Sequence, residues 1–311
     1  MGFIDMQTTE QPKVSIGLPV HNGEQFIHRR LNSILEQTFS NFELIISDNA
    51  STDSTPNICE EYLKKDKRIR YFRHEKKMRP MRNFKFVLEQ AKYDYFVWVA
   101  VDDYWHPDFL AKNIKNLLSK KKLVCSISKI QEFSVDAKNL ESVTKYSMTT
   151  KIIKKLRTKF MKIDMHTLSG SYEKKVRDYL KNSMCDIIYG VHRTANLRNG
   201  FVDREFNGND WAIDLNILKF GDIQVIDEVL LYKYEEGLSS SGIINLTSNL
   251  SNLGIIAAIF PYYPLTFWCL KHLGIKIFLR NIDYFIWLNC AGGVSLILDL
   301  LRLLEQKISS K

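Results

Sequence analysis

Over residues 14–130 the chain alternates short apolar runs with helix-spaced segments, and that alternation leaves few folds open. Apolar runs at 14–19, 42–47, 69–72, 95–101 and 123–130 predict strands. The intervening segments 26–35, 54–64, 83–91 and 107–118 repeat their apolar residues at helical spacing. Strands that are apolar throughout, separated by helices, imply an α/β fold with a mainly parallel sheet covered on both faces. Ligands in such sheets bind beyond the carboxyl ends of the strands. Asp48 and the Asp102-Asp103 pair fall at those ends.

Further along, the pattern blurs over residues 131–183 and returns over 187–234, with a helix expected at 210–220 and strands at 223–226 and 229–234. After Ser239-Ser240-Ser241-Gly242 the composition turns aromatic and aliphatic, which reads as a helical tail. At 311 residues with 45% hydrophobic content, a core forms without disulfide or metal staples. The five cysteines are scattered and form no C-x-x-C pair, so they are expected to be reduced core residues with no zinc site. The first residues lack the apolar core of a signal peptide. Residues 284–301 approach the length of a membrane span but are interrupted by Asn289, Gly292, Gly293 and Asp299.

Three acidic positions carry chemical potential. Asp48 ends a strand and opens Asp-Asn-Ala-Ser-Thr-Asp, a small polar loop suited to a base or ribose, although Asp48 and Asp53 also suit Asx-turns or a helix cap. Asp102 and Asp103 are adjacent carboxylates after a strongly apolar run, so ionising both is costly without a cation. Hard oxygen donors select Mg²⁺ or Mn²⁺, whose remaining positions accept a diphosphate. Strand alternation sends the two side chains different ways, one to the metal and one to a ribose hydroxyl. Helix capping by one of them is the plainer alternative. Asp210, in Asn-Gly-Asn-Asp-Trp, stands at a helix start. With Asn209 as cap its place is explained by the helix dipole alone, yet an ionised Asp is also available as a base.

Lys and Arg number 44 against 35 Asp and Glu, a net charge of +9 that suggests a polyanionic neighbour. Eleven of these cations lie within residues 64–85. A solvated basic face accounts for most, but Arg79 and Arg82 precede the helix that leads to Asp102, where a guanidinium is suited to a diphosphate. Residues 151–162, KIIKKLRTKFMK, read as a basic amphipathic helix able to lie on anionic lipid or to pack on the catalytic domain.

Together these motifs resemble glycosyltransferase family 2 with its GT-A fold: V-S-I-G-L-P-V-H-N-G-E-Q-F-I, L-I-I-S-D-N-A-S-T-D-S-T, V-D-D-Y-W-H-P-D-F-L, then Y-G-V-H-R and G-N-D-W, in that order. The resemblance covers about residues 12–237, so the chain is expected to divide into an N-terminal extension over 1–12, a GT-A catalytic domain over 13–240 and a helical region over 241–311 whose aromatic residues suit a membrane interface as well as a core. Within the catalytic domain, about 13–130 would hold the nucleotide-sugar and about 185–240 the acceptor. It implies a nucleotide site that includes Pro19, His21, Asn22, Asp48, Ser51 and Asp102, with Arg79 or Arg82 on the diphosphate. Asp103, with Asp102, would hold Mn²⁺ or Mg²⁺, and Asp210 would be the general base of an inverting transfer. Where many members carry a further Asp, two residues before the pair, this chain has Ala100. The implied partners are a nucleotide-sugar, UDP-linked by preference, and a saccharide or lipid-linked saccharide acceptor. The expected location is cytoplasmic, on the inner face of the membrane. A nicotinamide oxidoreductase would need G-x-G-x-x-G where this chain has Pro-Val-His-Asn-Gly. No nucleic-acid signature accompanies the charge. The competing reading is a non-catalytic nucleotide-sugar-binding or membrane adaptor protein.

Overall fold

The structure, a computed structural model, describes residues 11–133, 165–182, 184, 186–234 and 259–309. The expected helix at 151–162, the boundary near 239–242 and Cys185 lie outside these residues. In chain order the strands are β1 (Val14–Val20), β2 (Phe42–Asp48), β3 (Ile69–Arg73), β4 (Tyr95–Trp98), β5 (Tyr104–Trp105), β6 (Leu123–Phe133), β7 (Val191–Arg193) and β8 (Asp222–Tyr234). The helices are α1 (Ile27–Leu35), α2 (Thr55–Lys65), α3 (Pro80–Gln90), α4 (Phe109–Ser119), α5 (Tyr172–Lys181), α6 (Thr194–Gly200), α7 (Asn209–Ile217), α8 (Tyr263–His272), α9 (Ile275–Arg280) and α10 (Ile282–Ser309).

One sheet orders the strands β3-β2-β1-β4-β7-β6-β8-β5. The first four are parallel; β7 runs antiparallel to both β4 and β6, β8 parallel to β6, and β5 antiparallel to β8. The chain leaves β1 towards β2 and later returns to its other side with β4. The carboxyl ends of β1, β2 and β4 therefore flank a reversal of strand order, where such sheets open a crevice.

Alternation builds two cores. On β4, Phe96 and Trp98 face the side of α3, α7 and the C-terminal helices, while Tyr95 and Val97 face the side of α1 and α4. Gly17 is needed on β1 because a Cβ there would come within 2.6 Å of the Phe96 ring. Helices α8 and α10 share the first core: Leu265, Trp268, Cys269, Phe285 and Leu288 are buried with Trp211 and Ile213 of α7.

Several boundaries differ from the sequence reading. β4 stops at Trp98, not Val101, because the chain crosses the sheet end to pair Tyr104 with Tyr232 and Trp105 with Leu231 at the far edge. The two strands expected at 223–226 and 229–234 are one. Asp227 and Glu228 form a bulge, since Ser128 pairs with Ile226 and Lys129 with Val229. α3 begins at Pro80, as proline at a helix start allows, so Arg79 is its cap and Arg82 lies inside its first turn. α7 is capped by Gly208, not Asn209. Cys59, Cys125 and Cys269 are buried as expected, but Cys290 is exposed on α10, whose buried side here is Phe285 and Leu288. Among the described residues no helix is long and apolar enough to cross a membrane.

Candidate active site

The loops after β1 and β2 are laced into one floor. Asn22 and Ala50 adopt left-handed backbone, with φ of 52° and 56°. Asn22 N–H donates to Ser51 Oγ at 2.9 Å, Thr52 N–H to Asn22 Oδ1 at 2.9 Å, and Gly23 N–H to Thr55 Oγ1 at 2.8 Å. Asp53 accepts from the N–H groups of Glu24 and Thr55, so it serves the turn. Asp48 is fully buried below this floor. Its Oδ1 accepts from Ser51 N–H at 2.9 Å and its Oδ2 from the Tyr71 hydroxyl at 2.9 Å, with Arg73 Nε at 3.8 Å. Pro19 pairs in register with Ser47 on β2. His21, just past β1, keeps a buried Nδ1 without a hydrogen-bond partner among the described residues.

Asp102 and Asp103 occupy the crossing between β4 and β5, in unlike surroundings. Asp102 is part-exposed, and its carbonyl accepts from Arg29 at 2.8 Å. Asp103 is 5% exposed, and its Oδ1 accepts from Tyr234 N–H at 3.0 Å. Burial first, then the charge of Asp102, pushes the Asp103 carboxyl up to about 6; the Tyr234 N–H, Arg30 and Lys233 oppose the rise. Arg30 is buried behind the pair with its guanidinium over the Trp105 ring at 4.4 Å. Burial lowers its pKa to about 10 although Asp103 and Asp102 favour its charge. Its Nε and Nη1 have no hydrogen-bond partner among the described residues.

The donor set suits a hard divalent cation. No cluster of three or more His, Cys, Asp or Glu with metal-binding placement occurs among the described residues. Mg²⁺-type ions need none, being held by one or two carboxylates with substrate phosphates completing the shell. Two adjacent carboxylates, one of them buried and held back from ionising, are the arrangement such an ion stabilises.

Asp210 lies in the first turn of α7 and is part-exposed. Burial pushes its carboxyl up to about 6; the Trp211 N–H counters this, Asp186 adds to it and Lys233 subtracts from it. The loop before it is braced. Gly208 has φ of 86°, and a Cβ there would meet Leu265 Cδ2 at 2.7 Å, so only glycine fits under α8. The Asn209 amide donates to the carbonyls of Val202 and Arg204. Glu205 accepts from Met81 N–H at 3.1 Å and lies 3.5 Å from Arg79 Nε, joining the start of α3 to this loop. Arg82 is exposed on α3.

Sequence reading missed four residues here. Lys233 of β8 donates to Asp186 at 2.6 Å, and both act electrostatically on part-buried Tyr189, as do Asp103 and Asp210. One helical turn behind Asp210, Asp214 is fully buried, with Oδ2 accepting from the Tyr179 hydroxyl at 3.0 Å. Arg30 did leave a signal: it sits at a core position of α1 in phase with Ile27, Leu31 and Ile34. Lys233 and Asp186 left none, because their meaning depends on each other.

Residues 15–180 match the profile described as glycosyl transferase family 2. An uncharacterized glycosyltransferase of Haemophilus influenzae is 26% identical over 72% of this chain and 96% of its own. Other bacterial matches are partial: the putative teichuronic acid biosynthesis glycosyltransferase TuaG of Bacillus subtilis is 32% identical over 36% of this chain and 45% of its own, and the glycosyltransferase GlyA of Streptococcus pneumoniae is 30% identical over 34% of this chain and 15% of its own. Among solved structures, S. aureus TarS 1-349 in complex with UDP-GlcNAc superimposes with a TM-score of 0.54 at 20% identity, over 76% of this chain and 64% of that one. The Pyrobaculum calidifontis mannosyltransferase PcManGT, in complex with GDP-Man and Mn²⁺, superimposes with a TM-score of 0.53 at 13% identity, over 96% and 89%. At these identities the structural likeness is one of fold, the GT-A arrangement of a mixed sheet between helices. Because the profile match takes in more than half of the 311 residues, and the acidic motifs stand at the strand ends that this fold uses, the chain belongs to glycosyl transferase family 2.

Proposed function

We propose that the protein transfers a sugar from a nucleotide-diphosphate sugar to a hydroxyl of a saccharide or lipid-linked saccharide, with inversion at the anomeric carbon. One observation carries this reading: the fold brings Asp103 and Asp210, far apart in the chain, within electrostatic reach of the same Lys233 and the same Tyr189. The donor's base and ribose lie over the β1–β2 floor at Pro19, His21, Asn22 and Ser51, with Asp48 beneath and Asp102 at its rim. Asp103 and Asp102 hold Mn²⁺ or Mg²⁺, which supplies charge neutralisation on the diphosphate when bound. Arg79 and Arg82, on the start of α3, flank the diphosphate side. Asp210 takes the acceptor hydroxyl's proton as its oxygen bonds to the anomeric carbon. The bond from that carbon to the diphosphate breaks on the opposite face, and the electron pair leaves with the nucleotide. A UDP-sugar is the preferred donor because TarS 1-349 was solved with UDP-GlcNAc and with UDP, while GDP-Man in PcManGT keeps GDP in the panel.

Thermal-shift titration of UDP-, GDP- and dTDP-sugars, each with and without Mn²⁺, tests donor binding. At a hundredfold excess over Kd the true donor adds about 2.7 kcal/mol, several degrees in Tm for a chain of this size. If no nucleotide-sugar moves the transition, the donor assignment falls.

The same reading places the protein on the inner face of the cytoplasmic membrane. Among the described residues, twelve of the fifteen exposed large apolar side chains lie within residues 259–300. On α10, Ile282, Ile286, Val294 and Ile297 recur at helical spacing opposite buried Phe285 and Leu288. Lys271 and Lys276 are exposed on α8 and α9. Removing these helices would strip the core beside α7, so surface substitution is the sound test. In flotation with anionic vesicles the full chain should rise with the lipid, and Ile275→Glu/Ile286→Glu should stay below. Equal behaviour of the two proteins, or no flotation of either, counts against this location.

A further inference from the structure

Beyond Trp98 the chain leaves the sheet. Val99 N–H still donates to the Gly17 carbonyl at 2.9 Å, and pairing resumes at Tyr104 on β5. Asp102 and Asp103 lie on the crossing between these points, so no strand ladder sets the direction of their side chains. Contacts from other elements hold the crossing instead. Arg29 of α1 donates from Nη2 to the Asp102 carbonyl at 2.8 Å, and the Tyr234 N–H of β8 donates to Asp103 Oδ1 at 3.0 Å. That carbonyl belongs to the peptide joining Asp102 to Asp103. A peptide unit is planar, so holding its oxygen restrains the plane that contains both Cα atoms, and with it the directions in which the two carboxylates leave the main chain.

Arg29 is itself held. Its guanidinium carbon lies 4.8 Å from the centre of the Phe133 ring, 5.4 Å from that of Tyr104 and 5.9 Å from that of Phe26. The rings brace one another. Tyr104 stacks on Tyr232 at 4.6 Å and meets Phe133 edge-on at 4.9 Å, while Phe26 lies 5.2 Å from Tyr234. Phe26 and Arg29 share a face of α1, so one helix turn brings both against rings from β5, β6 and β8. A planar guanidinium meets aromatic rings with its charge and still donates in its own plane. Confined in this way, it aims an N–H at one oxygen.

We propose that Arg29 is a positioning residue for the carboxylate pair: through the Asp102 carbonyl it holds Asp102 and Asp103 in the orientation that receives a divalent cation. This rests on the reading of Asp102 and Asp103 as the metal site. Arg29, itself a cation, is no ligand; it acts through the main chain.

The charge of Arg29 and its position have opposite consequences. A positive charge beside two carboxylates repels a divalent cation, so removing the charge alone would tighten metal binding. A group that pre-arranges the donors does the reverse, and losing such an outer partner costs about 10–100-fold in metal affinity. The sign of the change tells the two roles apart.

The experiment titrates the full chain with Mn²⁺ alone and follows unbound Mn²⁺ by electron paramagnetic resonance, for the parent, Arg29→Met, Arg29→Lys and Asp103→Asn. Methionine keeps an unbranched stem among the rings and carries neither charge nor N–H donors. The Mn²⁺ Kd of Arg29→Met should rise about tenfold or more. Lysine keeps the charge but has no planar fork to lie among the rings and reach the carbonyl at once, so Arg29→Lys should also bind Mn²⁺ more weakly. A Kd for folded Arg29→Met equal to the parent's, or lower, would mean that Arg29 only packs α1 on the rings or only repels the ion, and the proposal fails. If circular dichroism and Tm show that Arg29→Met does not fold, Arg29→Lys carries the decision: with the charge kept, a weaker Kd reports position and a parental one overturns the proposal. If the parent binds no Mn²⁺, or Asp103→Asn binds it as tightly as the parent, the metal reading fails and the proposal with it. That outcome is separate from an unmoved Kd in Arg29→Met of a chain whose Mn²⁺ binding does depend on Asp103.

Discussion

Asp210→Asn should lower kcat for sugar transfer by about 10²–10⁴-fold, the usual contribution of a positioned general base, while donor-induced stabilisation in the thermal shift stays unchanged. Asparagine keeps the shape of the side chain in the first turn of α7 but accepts no proton. The parental enzyme should also show its own limit. A base must be deprotonated, and burial holds this carboxyl up to about 6, so kcat/KM should fall as pH drops below that value, with Asp103, raised to the same range, steepening the fall. A variant that keeps both its rate and its donor binding would remove Asp210 from the mechanism. One that loses donor binding would turn it into a structural residue of α7.

The second large effect is expected at Asp103. Charge neutralisation by a bound metal is worth several kcal/mol in a transition state that sheds a diphosphate, so Asp103→Asn or chelation of the metal should cost about 10³-fold in rate. The two treatments should differ in recovery: added Mn²⁺ rescues the chelated parent and leaves the variant inactive. In the variant the Mn²⁺-dependent part of the donor's Tm shift should also vanish. Asp103 is 5% exposed and accepts from Tyr234 N–H, and the amide oxygen of Asn can keep that bond. A loss of activity without loss of Tm therefore reports on the site and not on folding. Full activity in the presence of a chelator would argue that Arg30, buried beside the pair, already supplies the balancing charge.

The acids at the strand ends were legible in the chain. Asp48 and Asp102-Asp103 follow apolar runs, and the position of an acid at the end of a buried strand is a local pattern. The first four strands, with α1, α2 and α4, follow the same local logic, apart from shifted ends. Failures came where the deciding contact was distant. Asn209 has the better capping side chain, yet Gly208 caps α7, because the chain needs positive φ under Leu265 of α8. The break expected between 226 and 229 became a bulge, because β6 continues past it and its partners on β8 resume beyond Asp227 and Glu228.

Alternation and helical spacing are relations between near neighbours, so the chain alone marks the first four parallel strands, the apolar positions that fill the core around them and the carboxylates at their ends. Whether a buried charge is matched is a relation across the fold. Asp103 meets Tyr234, and Asp186 meets Lys233, because β5 crosses to the far edge of the sheet and β8 carries a bulge that sets its register. Electrostatic energy in a buried recess changes steeply over a few ångströms, and separations of that size exist once distant strands have been placed side by side.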